Sequence, residues 1–214
     1  MIITIDGPAG TGKSTVARLL ANKLGFYFFD TGAVYRSFAW WLFSQEIPLD
    51  RAEEGLNSFS FRIGEDKNLK KYYVGNVDVT DFIRSPQISE AASKIARIKE
   101  VRADFLPIQR DFGKKHDSVF EGRDVGSVVF PEADFKFFLV ASPEVRAERR
   151  YKELLLKNPR EQLTKEQVLQ DIRERDYQDS SREIAPLVCP EGAIVVDTSG
   201  LSIEQVVDCL FSNL

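Results

Sequence analysis

Residues 7–14 read Gly-Pro-Ala-Gly-Thr-Gly-Lys-Ser and satisfy the pattern G-x-x-x-x-G-K-[ST] at each fixed position. Glycines lack a Cβ, so the backbone can turn tightly and aim successive N–H groups at anionic oxygens. The following helix adds the partial positive charge of its N-terminus at the same place. The residues expected to cradle phosphate are Gly7, Pro8, Ala9, Gly10, Thr11, Gly12, Lys13, Ser14 and Thr15. Lys13 is expected to reach the β- and γ-phosphates, and the Ser14 hydroxyl to ligate Mg²⁺. The pattern is meaningful only between a strand and a helix. Met1–Ile5 is a short β-branched run, and Thr15–Leu24 carries Val16, Leu19, Leu20 and Leu24 at helical spacing. That context disfavours a glycine-rich turn that merely joins two elements. A nucleoside triphosphate is the expected ligand.

Arginines form the second chemical signal. Arg36 follows a second strand candidate, Arg123 follows a third, and Arg102 lies in the helical stretch between them. Arg173, Arg175 and Arg182 belong to the segment RERDYQDSSR. Guanidinium groups grip phosphate through two N–H donors in a fixed plane, so converging arginines suit a second phosphorylated ligand. They also suit a phosphoryl group in transit. Taken alone, the 173–182 run fits a solvated helix paired with Glu174, Asp176, Asp179 and Glu183 equally well. Arg123, in a Gly-Arg-Asp turn at a strand end, is the stronger functional candidate. His116 is the only histidine and is assigned no role.

These residues need a scaffold. Strands are predicted at 1–5, 26–29, 118–120, 135–140 and 193–196. Helices are predicted at 15–24, 33–45, 88–112, 143–156, 164–179 and 202–211. The alternation implies an α/β fold, a doubly wound five-stranded parallel sheet with right-handed crossovers. Ligands of such sheets gather at the carboxyl ends of strands. The glycine loop, Asp30-Thr31-Gly32, the Arg123 turn and the turn after Val140 all fall there. Between Leu56 and Ile83 the texture changes: Phe59–Ile63 alternates with period two, a turn-like Gly-Glu-Asp-Lys-Asn follows, and Gly75-Asn76 joins Leu69–Val74 to Val77–Val79. Two successive hairpins, a small antiparallel β insert, are expected. The aromatic run Phe26–Phe29 and Trp40-Trp41 read as core packing rather than a base-stacking platform.

The 214 residues carry 29 basic and 33 acidic side chains, a net charge of −4, which argues against a general nucleic-acid or anionic-membrane binder. Cys189 and Cys209 sit in no CxxC or metal-ligand spacing. With no secretory signal and no apolar run long enough to span a bilayer, a cytoplasmic protein is expected.

Five segments, IDGPAGTGKST (5–15), DTGAVYR (30–36), EAASKIA (90–96), EGRDVGSVVFPEA (121–133) and RERDYQDSSREIAPL (173–187), make the chain resemble the cytidylate kinases, the bacterial (d)CMP kinase family of P-loop nucleoside monophosphate kinases. The resemblance runs almost end to end. It implies one domain over 1–214, with the insert at about 56–83 binding the monophosphate and a mobile helical lid at about 151–182. Thr31 would line the monophosphate pocket, and Arg36 and Arg123 would grip its phosphate. Ser93, Arg102 and Asp124 would read the cytosine edge. Arg175 and Asp179 would reach the acceptor phosphate and ribose, and Arg182 the transferring group. Gln178 stands where relatives often carry a basic residue.

The implied reaction moves the γ-phosphoryl group of ATP to CMP or dCMP, with Lys13, Mg²⁺, Arg123, Arg175 and Arg182 aligning and neutralising charge. The attacking phosphate oxygen is already anionic, so no general base is needed. Lid closure would exclude water. A monomer is expected. The rivals are a P-loop kinase for another small acceptor and a nucleotide-gated binding module without turnover.

Overall fold

The computed structural model describes residues 1–64, 71–157 and 163–214. In chain order the strands and α-helices are β1 (Ile2–Asp6), α1 (Lys13–Leu24), β2 (Tyr27–Asp30), α2 (Thr31–Ser44), β3 (Phe61–Ile63), β4 (Tyr72–Val74) and β5 (Val77–Asp78). They continue as α3 (Pro86–Ile95), α4 (Lys99–Lys115), β6 (Ser118–Glu121), β7 (Phe135–Val140), α5 (Pro143–Lys157), α6 (Lys165–Ser181), β8 (Ile194–Asp197) and α7 (Ile203–Phe211). The main sheet has the order β2-β6-β1-β7-β8 with every pairing parallel.

Strand side chains alternate between faces, and here both faces are covered. Phe28 and Val119 enter a core shared with Val16, Leu20, Val206 and Leu210 of α1 and α7. Their neighbours Phe29 and Phe120 enter the opposite core with Phe38, Ile95 and Phe105 of α2, α3 and α4. Phe29 and Phe120 stack at 4.9 Å, and Phe38 meets Phe105 edge-on at 5.2 Å. Each fully buried phenylalanine contributes about 1.5–3 kcal/mol. The aromatic run is thus core, as expected. His116 also packs, 4.3 Å from the Tyr27 ring and 4.9 Å from that of Phe112.

The helical stretch expected over 88–112 is built of two helices, α3 and α4. Ala96 caps α3, and Ile98 is extended at φ −81° and ψ 122°. The Ala96 carbonyl accepts from Arg102 Nη1 at 3.3 Å, a long-side-chain bond that fixes the corner. The insert is antiparallel in the order β3-β4-β5, but its first strand begins at Phe61 rather than Phe59. Leu49–Ser58 forms 3-10 turns, and the Phe59 ring is drawn into the core against Phe38 at 4.9 Å and Phe105 at 5.5 Å. Gly75, at φ +57°, turns β4 into β5. The expected turn residues 65–68 and the strand start at 69–70 lie outside the described residues, as do residues 158–162 of the expected lid. Helices α5 and α6 pack through Ala147, Val168 and Ile172.

Tyr72 of β4 is 1 % exposed, and its hydroxyl finds no hydrogen-bond partner among the described residues. Burial, with Asp30 adding to it, holds the phenol protonated. Removing an unbonded buried hydroxyl relieves a desolvation cost, so Tyr72→Phe is expected to leave stability unchanged or raise it by up to about 1 kcal/mol. That corresponds to about 2–4 °C in melting temperature. A calorimetric drop of several degrees would mean that the hydroxyl is bonded in solution.

Candidate active site

The loop between β1 and α1 lies at the carboxyl edge of the sheet beside Thr31, Gly122–Asp124 and Ala141, which follow β2, β6 and β7. Gly7 has φ +143°, and a Cβ there would come 2.1 Å from the Leu139 carbonyl oxygen, so only glycine lets the loop leave against β7. Gly12, at φ +90°, caps α1 without a side-chain bond, leaving first-turn N–H groups for a ligand. Lys13 is 5 % exposed and folds over the loop, its Nζ donating to the Pro8 carbonyl at 2.7 Å. Burial first, then the nearby Arg123, pulls the Lys13 ammonium well below the usual lysine range. The Ser14 hydroxyl donates to Glu121 Oε1 at 2.7 Å. Burial, reinforced by Asp30, raises the Glu121 carboxyl above the ordinary range.

Carboxylates organise the arginines. Asp124 takes Arg102 on Oδ2 and Arg182 on Oδ1, the latter at 3.2 Å. The β6 loop, α4 and the end of α6 therefore meet at one side chain. Asp179 accepts from Arg123 Nε at 3.0 Å and faces Arg175 Nε at 3.6 Å. Burial raises Asp179, but Arg123 and Arg175 outweigh it and hold the carboxyl below its ordinary value. Asp30 caps α2 by accepting from Ala33 N at 3.0 Å, and its other oxygen takes Arg36 at 2.6 Å with Arg84 at 3.5 Å. Between the loop and the insert, Ser14, Thr15, Arg18, Phe28, Asp30, Tyr72 and Arg84 line a cleft of about 300 Å³.

The structure gathers Lys13, Ser14, Arg102, Arg123, Asp124, Arg175, Asp179 and Arg182 through direct contacts or near charges. Thr31 is buried, with its hydroxyl donating to the Glu121 carbonyl at 2.8 Å. Ser93 is half-buried on α3 and forms no side-chain hydrogen bond among the described residues. Arg182, expected at the transferring group, is bonded to Asp124 and to the Ala185 carbonyl at 2.5 Å.

A P-loop and an arginine cluster specify phosphoryl chemistry without naming the acceptor. Comparison with known proteins decides the family: a family model described as "Cytidylate kinase" matches residues 3–214. The chain belongs to the cytidylate kinase family. It is 46% identical over 212 residues to the cytidylate kinase of Protochlamydia amoebophila (strain UWE25), covering 97% of this chain and 93% of that one. The cytidylate kinase of Clostridioides difficile (strain 630) is 41% identical over 218 residues, covering 100% and 98%. A shikimate kinase structure from Bacteroides thetaiotaomicron shares the fold, with a TM-score of 0.51 at 12% identity over 100% of this chain and 97% of that one. Like its relatives, the chain is an enzyme of the cytidylate kinase kind.

Within this cytidylate kinase framework, sequence reading singled out neither Glu121 nor Arg146. Glu121 ends β6 in register with Ile5 and Asp30, beside the phosphate loop. An acidic residue ending a central parallel strand was the available signal. Arg146 on α5 donates to the Ala9 carbonyl at 3.1 Å, to the Ala141 carbonyl at 2.9 Å and to both oxygens of Asp176 at 3.0 and 2.6 Å. It ties α5 and α6 to the phosphate loop.

Proposed function

We propose that this cytidylate kinase transfers the γ-phosphoryl group of ATP to CMP or dCMP, using Mg²⁺. The observation that carries the acceptor assignment is Asp124, 9 % exposed and fixed by Arg102 and Arg182. Cytosine presents an exocyclic amino donor beside acceptors. Asp124 accepts the amino hydrogen, while Arg102, assisted by Ser93, donates to the acceptor atoms. Uracil turns a carbonyl toward Asp124 and is rejected.

The triphosphate lies on the Gly7–Gly12 loop with Lys13 on its outer phosphates. The oxygen donors Ser14 and Glu121, 2.7 Å apart, fit Mg²⁺, which takes hydroxyl and carboxylate oxygens and completes its shell with phosphate and water. Held there by Ser14 and Glu121, Mg²⁺ would supply positive charge against that building on the transferring phosphate oxygens. Arg36 and Arg123 hold the acceptor phosphate, joined by Arg175, with Asp179 toward the ribose and Arg182 completing the cationic wall. Phosphate oxygens compete with Asp30 and Asp179 for these guanidiniums, so acceptor binding exchanges internal ion pairs for external ones. The reading places a monomeric enzyme in the cytoplasm, a reducing compartment that suits the free thiols of Cys189 and Cys209. Among the described residues no helix is long and apolar enough to cross a membrane.

An ATP- and Mg²⁺-dependent assay comparing CMP, dCMP, UMP and AMP tests the reading; equal rates with UMP would refute the cytosine assignment. Asp124→Asn is expected to lower kcat/KM for CMP by about a hundredfold and to shrink the CMP-over-UMP preference by at least about tenfold. An unchanged CMP-to-UMP ratio in that variant would remove Asp124 from base recognition.

A further inference from the structure

One buried carboxylate is left without a part in the reaction described above. Asp6 ends β1, immediately before Gly7, and is 0 % exposed. Its Oδ1 accepts from Val125 N at 2.9 Å, and its Oδ2 from Gly126 N at 2.7 Å. Val125 directly follows Asp124 and opens a π-helical turn, Val125–Val129. The turn is pressed close: a Cβ on Gly126 would come 2.7 Å from Thr4 Oγ1 and 3.3 Å from Asp6 Oδ2. A carboxylate offers an acceptor to each of two N–H groups, whereas a neutral acid or an amide must point a donor at one of them.

We propose that Asp6 is a positioning residue: by clamping the N–H groups of Val125 and Gly126 it holds the donor phosphate loop in register with the Arg123–Asp124 acceptor turn. The inference rests on the reading of Arg123 and Asp124 as acceptor-binding residues. In-line transfer needs the two phosphates set to within a fraction of an ångström, and this one side chain fixes the loop carrying one against the turn carrying the other. The groups facing Asp6 are Asp124 and Lys13 with the two backbone donors, and burial dominates, pushing the carboxyl up to about 6. A carboxyl raised in the folded state is less stabilising when ionised: folding gains stability as pH falls from about 6 toward the unfolded value. The ionised clamp therefore serves alignment at the expense of stability.

Asp6→Asn in the full chain mimics the protonated clamp and tests this. At pH 8, kcat/KM for CMP is expected to fall about a hundredfold, with CMP affinity weakened and ATP affinity by equilibrium titration kept within about twofold. The melting temperature is expected to stay at or above that of wild type. In wild type, kcat/KM for CMP falls on the acid side through two ionisations, the acceptor phosphate near about pH 6 and Asp6; the variant keeps only the first. If the variant does not fold, Gly126→Ala, which displaces the same turn without altering a charge, is expected to give the same split between CMP and ATP. Equal losses toward ATP and CMP with a lowered melting temperature, or wild-type CMP kinetics with an unaltered acid limb, would overturn the proposal. A wild type that binds ATP and CMP without turnover would instead fault the assigned reaction, and the two titrations would still report on the clamp.

Discussion

Replacing Lys13 with alanine is expected to lower kcat by about a thousandfold while the chain remains folded. The activity loss follows from the absence of a general base in the proposed reaction: catalysis is alignment and charge neutralisation, and Lys13 is the cation nearest the loop that holds the donor. Stability should change little. Lys13 is 5 % exposed, its ammonium is disfavoured by burial and by Arg123, and the acceptors it donates to are neutral, the Pro8 carbonyl at 2.7 Å and Thr11 Oγ1 at 3.5 Å. Removing a desolvated charge that donates to neutral acceptors offsets much of the packing lost with the side-chain stem. Steady-state kinetics and a thermal melt at pH 7.5 read both effects. Near-normal turnover would strip Lys13 of its role; a collapse of the fold would show that the ammonium is structurally required.

The parts of this molecule legible in its sequence are those whose pattern is local. Phe135–Val140 occupies the span its apolar run predicts, because turn residues bound it on both sides. The hairpin at Gly75 follows from a glycine free to adopt φ +57°. The loop at 7–14 is read from fixed spacing between a strand and a helix. What escaped is set by strand order and by long side chains. Asp6, Glu121 and Arg146 are charged residues whose burial depends on which strands lie side by side, and nothing in their own segments reports that. The corner at Ala96–Ile98 depends on Arg102 reaching back to a carbonyl six residues earlier. Phe59 alternates with its neighbours as a strand residue would, yet two core rings claim it. Arg175 and Arg182 were ambiguous for the same reason: a charge run on one helix does not say that Asp124 and Asp179 face it from within the sheet's edge and from the helix itself.

Arg123→Ala is expected to lower kcat/KM for CMP by about a thousandfold and to destabilise the chain by about 1–3 kcal/mol at pH 7. Arg123 donates through Nε to Asp179 at 3.0 Å and through Nη1 to its neighbour's carbonyl, Gly122, at 3.2 Å. The pair is largely sheltered, with side-chain exposures of 22% and 5%. Its loss leaves the Asp179 carboxylate with Arg175 at 3.6 Å and the weaker field of Arg182. Asp179 titrates below its ordinary value because Arg123 and Arg175 outweigh burial, so the pair's contribution is fully present above the unfolded carboxyl value and fades as pH falls through the folded one. The stability gap between variant and wild type should therefore be widest near neutrality, begin to narrow below the unfolded carboxyl value of about 3.9, and close only once the folded carboxyl is protonated as well. Lysine at this position should recover part of the stability and little of the activity, since a point charge cannot reproduce the planar fork that spans two phosphate oxygens. Melting curves from pH 3 to 8 and CMP kinetics for both variants separate the two functions. CMP kinetics within about twofold of wild type in Arg123→Ala would show that this guanidinium serves the fold alone and that Arg36 and Arg175 carry the acceptor phosphate without it.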